Sequence, residues 1–577
     1  MTPIRKRLTD AFAALALLAL PWLLYGAALD LWWTRDDFFQ LRFAAGHEVA
    51  EYALDPGVWQ RLPNQVLTPL LFASYELDLA LAGLDPAVFY AHQLLSLGLA
   101  AGALYGLLRL WLAVPWALLG GGAFLLGPPI ASLAPLLMVR HYPEALLLAV
   151  LSAWLFVVGT RRAGAGAWVP AVLSGCLYLA ACLAKEIAVP LPAVLALLPA
   201  GTPRLRRWRL APHAGALTLY AGYRVWMLGT PLGGYGWSVR PGEWPALALG
   251  LPAKLARELA GPGPWGWAVL AALTSGAVFL AVSSRRAAAL LGVGILAALL
   301  PVLPVAAEVA PRYASSAWLL LATALPVSAR RLAGSTGPRS GRRQAVLGVA
   351  LALLLAAALA GNRQAWSHHH GLAARMSAES QGFLELGPGE YLRHPAVSPA
   401  SMGALLPFAR DLLGRRPEGG WFYDDLYLCP VAGARSGPVL ALWAYDPAAG
   451  RLRDVTTELP ALRRSHCRSI RWDAPLEASF RRGGGVLAWE LGPSRAGAYA
   501  FLLEDGRMRY EVPRRGAFRR EDLDLAGLRV RYDSPEGWVT YSAPLPLEPA
   551  RSGLRWRRQV DGSPPSPAPG PRASQSS

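Results

Sequence analysis

The sequence predicts a polytopic α-helical membrane protein, with about eleven transmembrane helices followed by an external, mostly β soluble domain. Three observations carry that expectation. Of the 577 residues, 54% are hydrophobic and only 16% charged, with a mean hydropathy of +0.30, which is too apolar for an ordinary soluble protein. Apolar stretches of about 20 residues recur between short basic tracts as far as residue 361. Beyond residue 372 the composition shifts to Arg, Asp, Glu and Gly, with short apolar runs set between turn residues. The net charge of +18 does not point to nucleic acid, because the basic residues lie between apolar segments and not on one soluble face.

The candidate spans are 11–31, 87–113, 115–134, 143–160, 167–184, 187–200, 212–229, 265–283, 287–306, 313–329 and 344–361. The first follows Arg5, Lys6 and Arg7, as a signal peptide would, but it is long and lacks a small-x-small cleavage site. A signal anchor is therefore expected. With the N-terminus cytoplasmic, alternation puts Arg161 and Arg162, "RLRRWR" at 204–209, Arg285 and Arg286, and the loop from Arg330 to Arg343 on the same inner side. One missed helix would invert the later loops, so this agreement also checks the count.

The opposite, outer face receives residues 32–86, "MVRHYPEA" at 138–145, "AKEIAVP" at 184–190, "TPLGGYGWSVRPGEW" at 230–244, "AEVAPRYASS" at 307–316 and everything after 362. Charged groups at a membrane boundary are costly unless solvated or paired, so their convergence on one face points to a site there. Each cluster has an ordinary reading when taken singly. Asp36 and Asp37 suit a solvated loop, Lys185 and Glu186 a local pair, Arg140, His141 and Glu144 interfacial anchors, and Arg312 with Tyr313 a snorkelling cation beside a belt aromatic. Lys185 stands out because the chain has 3 lysines against 53 arginines. Arg224, in "LYAGYRVWMLG", falls inside a span, where an Arg is a functional hypothesis unless it snorkels to the interface. In the first outer loop Trp59, Leu62, Val66, Leu70 and Tyr75 have a roughly helical spacing broken by Pro63 and Pro69. Short helices roofing the site, or a buried helix, are both expected from it.

In the soluble part, "GPVLALWAYD", "GGVLAWELG", "GAYAFLLEDG" and "GWVTYSAPL" read as strands. The domains are therefore 1–371 in the membrane, 372–560 external, and a Gly/Pro/Ser-rich disordered tail at 561–577. Cys176 and Cys182 lie in an apolar span as core residues, whereas Cys429 and Cys467 are placed to form a disulfide if the domain faces an oxidising exterior. His368, His369 and His370 diverge by about 100° each on a helix, which disfavours a shared metal ion.

The order of these features resembles the polyprenyl-phosphate-dependent membrane glycosyltransferases of the C-type fold, which include the protein O-mannosyltransferases and the aminoarabinose transferases. An acidic pair opens the first outer loop, "KE" is followed by "VPLP", an outer "PRY" starts a span, and a C-terminal external domain follows. The resemblance covers residues 1–370 and implies sugar transfer from a polyprenyl-phosphate donor to a lipid, glycan or protein acceptor at the outer face of the cytoplasmic (inner) membrane.

It also implies Asp36 and Asp37 as the catalytic acids, one a base and one a support, with Asp36 the more sensitive. Arg140, His141, Glu144, Lys185, Glu186, Arg224, Arg312 and Tyr313 would bind lipid phosphate or substrate. No cofactor is specified and a divalent metal stays open, although consecutive acids on an extended loop point apart. Two other readings compete. A transporter or scaffold should show repeats and polar groups at mid-membrane, which are not evident here. A surface-polysaccharide polymerase or ligase should carry its charges in later outer loops.

Overall fold

A computed structural model describes residues 3–62, 66–162, 164–231, 244–306, 309–334, 340–429, 439–483, 486–519, 526–546 and 553–557. Most of the loop at 230–244 and the whole tail at 561–577 lie outside the described residues. The chain divides into two compact units, Met1–Ala374 and Arg375–Ser577.

The first unit is helical. After α1 (Pro3–Tyr25) come four short helices, α2 (Asp37–Gly46), α3 (Val49–Leu54), α4 (Pro56–Gln60) and α5 (Pro69–Ala82). The series continues with α6 (Pro86–Arg109), α7 (Val114–Leu125), α8 (Pro128–Leu133), α9 (His141–Arg161), α10 (Trp168–Ala184), α11 (Leu191–Leu197), α12 (Pro203–Arg209) and α13 (Ala211–Leu228). It ends with α14 (Trp244–Ala260), α15 (Pro264–Ser283), α16 (Arg285–Leu299), α17 (Ser315–Ala333) and α18 (Ser340–Phe383).

Among the described residues, six helical stretches are long and apolar enough to cross a membrane: Ile4–Asp30, Pro86–Arg109, Leu137–Arg161, Pro264–Ser283, Arg285–Val305 and Gln344–Phe383. The other five predicted spans take different forms. Residues 115–134 break into α7 and α8, because Pro128 and Pro129 start a new helix and a Cβ on Gly127 would lie 2.0 Å from Trp318 Nε1. The Trp318 indole N–H donates to the carbonyls of Ala123 and Phe124 at 3.1 and 3.0 Å, which seals the break. Residues 187–200 form a 3-10 turn and then the seven-residue α11, while α10 has 17 residues. Helices α13 and α17 are long enough but carry polar and basic residues. The last predicted span lies within a helix of 44 residues. Helix α14 was not foreseen, because Lys254, Arg257 and Glu258 interrupt its apolar run.

The core joins α1, α6, α7, α9, α14 and α17 through Leu17, Leu97, Leu104, Phe124, Leu146, Leu255 and Trp318. Phe12, Leu23, Leu249 and Val282 are each at least 80% exposed, a distribution that suits lipid as solvent and is costly in water. The short helices of the first loop bury their aromatic residues. Phe43, Tyr52, Trp59 and Phe72 pack ring to ring with centroids 4.3–6.3 Å apart, and Tyr75 is fully buried.

The second unit carries the β structure. Strands β1 (Glu390–Arg393), β2 (Gly420–Phe422), β3 (Ala441–Asp446) and β4 (Arg451–Asp454) form one sheet in the order β2-β1-β3-β4, with β1 parallel to both β2 and β3. Helix α19 (Pro399–Leu412) makes the crossover from β1 to β2, and α20 (Leu459–Ser469) follows β4. The remaining strands are β5 (Glu477–Gly483), β6 (Val486–Gly492), β7 (Ala498–Leu503), β8 (Met508–Val512), β9 (Arg515–Arg519), β10 (Ala526–Asp533), β11 (Val539–Tyr541), β12 (Leu545–Pro546) and β13 (Gly553–Arg557). They pair antiparallel in two sheets, β11-β10-β7-β8 with β12 on β10, and β13-β5-β6-β9. All four quoted apolar runs contain a strand: β3, β6, β7 and β11. Cys429 and Cys467 form a disulfide with their Cα atoms 5.8 Å apart.

Candidate active site

The acidic pair sits on a loop whose geometry is set locally. After α1 a 3-10 turn runs to Asp30, and the next residues extend so that Trp33 packs edge-on against Phe89, with centroids 4.8 Å apart. Arg35 then takes a left-handed φ of 52°, which costs an L-residue about 1–2 kcal/mol. This kink turns the chain back on itself. Asp37 N–H donates to Thr34 C=O at 3.0 Å, and Thr34 N–H donates to Asp37 Oδ2 at 2.8 Å.

Asp37 is fully buried, and its Oδ1 makes no hydrogen bond among the described residues. Burial pushes its carboxyl up to about 7, against the Thr34 N–H and the charges of Arg140 and Arg35, while Asp36 adds to the rise. Asp36, one residue away, is exposed along part of its surface, yet burial also pushes its carboxyl up, against the charges of Arg312 and Arg35. The two adjacent acids thus differ in exposure, while burial raises the proton affinity of both.

Arg140, expected at the lipid phosphate, is directed inward. It is fully buried and donates to Asp78 Oδ2 at 2.5 Å, to Phe89 C=O at 2.7 Å and to Ser74 Oγ at 3.2 Å. Its guanidinium lies 4.8 Å from the Tyr75 ring centre. The charge of Arg140 therefore reaches the loop through its field on Asp37. Ser74 Oγ donates to Glu144 Oε1 at 2.6 Å, leaving Oε2 buried with no hydrogen bond among the described residues.

The other predicted cations gather around two tyrosines. Lys185 pairs with Glu186 at 2.9 Å, and its Nζ is 5.6 Å from the centre of the Tyr142 ring. Tyr142 meets Tyr313 edge-on at 6.1 Å, and Arg312 donates to Tyr313 Oη at 3.3 Å. His141 stacks beside Tyr142 at 4.8 Å, within range of the charges of Lys185 and Arg312, and its Nδ1 is buried without a hydrogen bond among the described residues. Arg224 reaches past the C-terminal end of its helix, toward the loop that the sequence places outside. It folds onto Tyr220 Oη at 3.1 Å and Pro231 C=O at 2.8 Å, and its charge acts on Glu186.

All ten predicted site residues thus lie in one connected region of the first unit, built from the 34–37 loop, the start of α9, the 185–186 turn, the 311–314 turn and α13. Nothing in the sequence pointed to a role for Arg35, Ser74, His92 or Tyr142. Asp78 had one weak signal, a carboxylate inside the apolar run "LDLALAG", and Arg35 had none, since its role is a backbone angle. Among the described residues no group of three or more His, Cys, Asp or Glu is placed to hold a metal ion. The arrangement can accept a proton at a near-neutral carboxylate and oppose a developing negative charge with cations a few residues away.

No protein-family model and no curated protein sequence matches the chain. Among solved structures it is similar to ArnT from Cupriavidus metallidurans bound to undecaprenyl phosphate, at 14% identity and a TM-score of 0.41, covering 75% of this chain and 93% of that one. It is also similar to the archaeal oligosaccharyltransferase AglB from Archaeoglobus fulgidus, in complex with an inhibitory peptide and a dolichol-phosphate, at 11% identity and a TM-score of 0.44, covering 90% and 74%. A third likeness is to the arabinofuranosyltransferase AftD from Mycobacteria, at 19% identity and a TM-score of 0.31, covering 67% of this chain and 29% of that one. At such identities and TM-scores no activity or substrate carries over from them to this chain.

Proposed function

We propose that the protein is a membrane glycosyltransferase that moves a sugar from a polyprenyl-phosphate donor to a lipid, glycan or protein acceptor on the outer face of the cytoplasmic membrane. The observation that carries this reading is Asp37, a buried carboxylate raised to near neutrality with one oxygen free of hydrogen bonds among the described residues, within the field of Arg140 and Arg35. A general base works best when its proton affinity lies near the operating pH.

In the proposed step, Asp37 takes the proton of the acceptor hydroxyl as that oxygen bonds to the anomeric carbon. The bond from that carbon to the phosphate oxygen breaks, and its electron pair leaves with the polyprenyl phosphate. Arg312 and Lys185 oppose the charge developing on that phosphate, and Asp36 holds Arg312 and Arg35 in place. The sequence favoured Asp36 as the base, whereas Asp37 is the better candidate of the two, because it is the fully buried one and has a buried oxygen with no hydrogen bond among the described residues.

Eleven spans, a cytoplasmic N-terminus and an external second unit belong to the same proposal. The one-sided basic loops and the Cys429–Cys467 disulfide, which persists in an oxidising exterior, support them. The assay is transfer from a labelled polyprenyl-phosphate sugar in purified proteoliposomes. Asp37→Asn should slow turnover by about 10² to 10⁴-fold, and Asp36→Asn by less. Full activity in both single variants and in the double variant would falsify the reading.

A further inference from the structure

Behind the acidic loop lies a chain of polar side chains that the proposed transfer step does not use. His92 Nδ1 is 2.8 Å from Asp78 Oδ1, Asp78 Oδ2 accepts from Arg140 at 2.5 Å, and Arg140 reaches Ser74 at 3.2 Å. Ser74 in turn donates to Glu144 at 2.6 Å. The chain ties α5, α6 and α9 together, and Asp78 and Arg140 are both almost wholly buried. A buried ion pair is often no more stabilising than well-packed apolar residues of the same volume, so packing alone does not explain an Arg and an Asp here. Among the described residues, Arg140 is also a charged group from outside the acidic loop whose field bears on Asp37.

We propose that Asp78 is a positioning residue of the transfer site: it holds the Arg140 guanidinium, offsets its charge, and so sets how much of that charge reaches Asp37. This rests on Asp37 being the base. The groups facing Asp37 are Asp36 and Arg35 on its own segment, Tyr75 on α5, Tyr90 on α6 and Arg140 at the start of α9. Tyr75 stays neutral across the working range, since burial pushes its hydroxyl further up. Arg140 is left as the adjustable charge from outside the loop. Its carboxylate partner, Asp78, is the counterweight.

Two replacements should then move the acid limb of the pH profile in opposite directions. Asp78→Asn keeps the shape but leaves the charge of Arg140 uncompensated, which favours the ionised form of Asp37 and moves the limb to lower pH by about 0.5–1 unit. Arg140→Gln removes the favourable charge and moves the limb to higher pH by a similar amount. Asp78→Glu keeps the charge, so its limb stays at the wild-type pH even if turnover falls. The measurement is kcat/KM against pH for the full-length protein in proteoliposomes, with the labelled polyprenyl-phosphate sugar as donor. A purely structural Asp78 would lower the amplitude and leave the limb in place.

Opposite shifts with a stationary Asp78→Glu limb support the inference. Shifts in one direction, no shift, or a displaced Asp78→Glu limb overturn it. If Asp78→Asn fails to fold, the Arg140→Gln and Asp78→Glu profiles decide by the same criteria. An Asp37→Asn variant run alongside separates the two claims: its full activity sinks the base assignment itself, whereas its inactivity with unshifted limbs sinks only the role of Asp78.

Discussion

At the scale of single residues, the site is assembled at the expense of stability. Arg35 holds a left-handed backbone angle, and Asp37 is a carboxyl in surroundings that disfavour its charge. The carboxyl has a measurable consequence. Its folded-state affinity, at about 7, lies above the ordinary value of 3.8. As pH rises from 3.8 to 7 the unfolded chain releases a proton that the folded chain retains, so stability falls through that window and the penalty is complete above it. Asp37→Asn removes the penalty. The variant should therefore lose turnover and yet melt at a higher temperature than wild type at pH 8, with the difference gone at pH 4. Thermal unfolding in detergent at the two pH values checks this, and a lower melting temperature at pH 8 would show that the carboxylate stabilises its surroundings.

At the scale of elements, the first unit depends on helices that approach closely at small residues. A Cβ on Gly98 of α6 would lie 2.6 Å from the Leu18 carbonyl oxygen of α1, and a backbone atom cannot swing aside as a side chain can. Gly98→Val should therefore part α1 from α6 and lower stability by about 1–3 kcal/mol. The loop bearing Asp37 follows α1 directly, so turnover should fall as well. The paired readout is the melting temperature and transfer rate of Gly98→Val against Gly102→Val, whose Cβ meets nothing within 4 Å. Equal behaviour of the two variants contradicts the close-packing argument. Helix identity was legible in the sequence for the long apolar stretches, since about 20 apolar residues leave little choice of structure. The break at Gly127 was not legible, because the indole that fills it comes from Trp318, 191 positions along the chain.

For the whole molecule, the one-face arrangement makes a topological prediction. Single cysteines introduced beside Asp36, Lys185 and Arg312 should react with a membrane-impermeant thiol reagent from the outside of intact cells, and cysteines within 204–209 only after permeabilisation. Labelling of the Asp36 and Lys185 positions from opposite sides would dismantle the site. The sequence by itself determined the long apolar helices, the composition shift after residue 372, four strands of the second unit and the residue types proposed for the site, because these follow from hydropathy, periodicity and charge along the chain. Only the tertiary structure decided which charge does what. Asp36 and Asp37 are identical in type and adjacent, and they differ because the first keeps part of its surface exposed, within the field of Arg312, and the second is enclosed near Tyr75, Tyr90 and Arg140. Arg140 reads like an interfacial anchor in the sequence, and it is turned inward because Asp78, 62 positions earlier, offers it a carboxylate. Burial and pairing between segments far apart in sequence set the dielectric surroundings of each group, and those surroundings, which no local pattern encodes, fix its proton affinity.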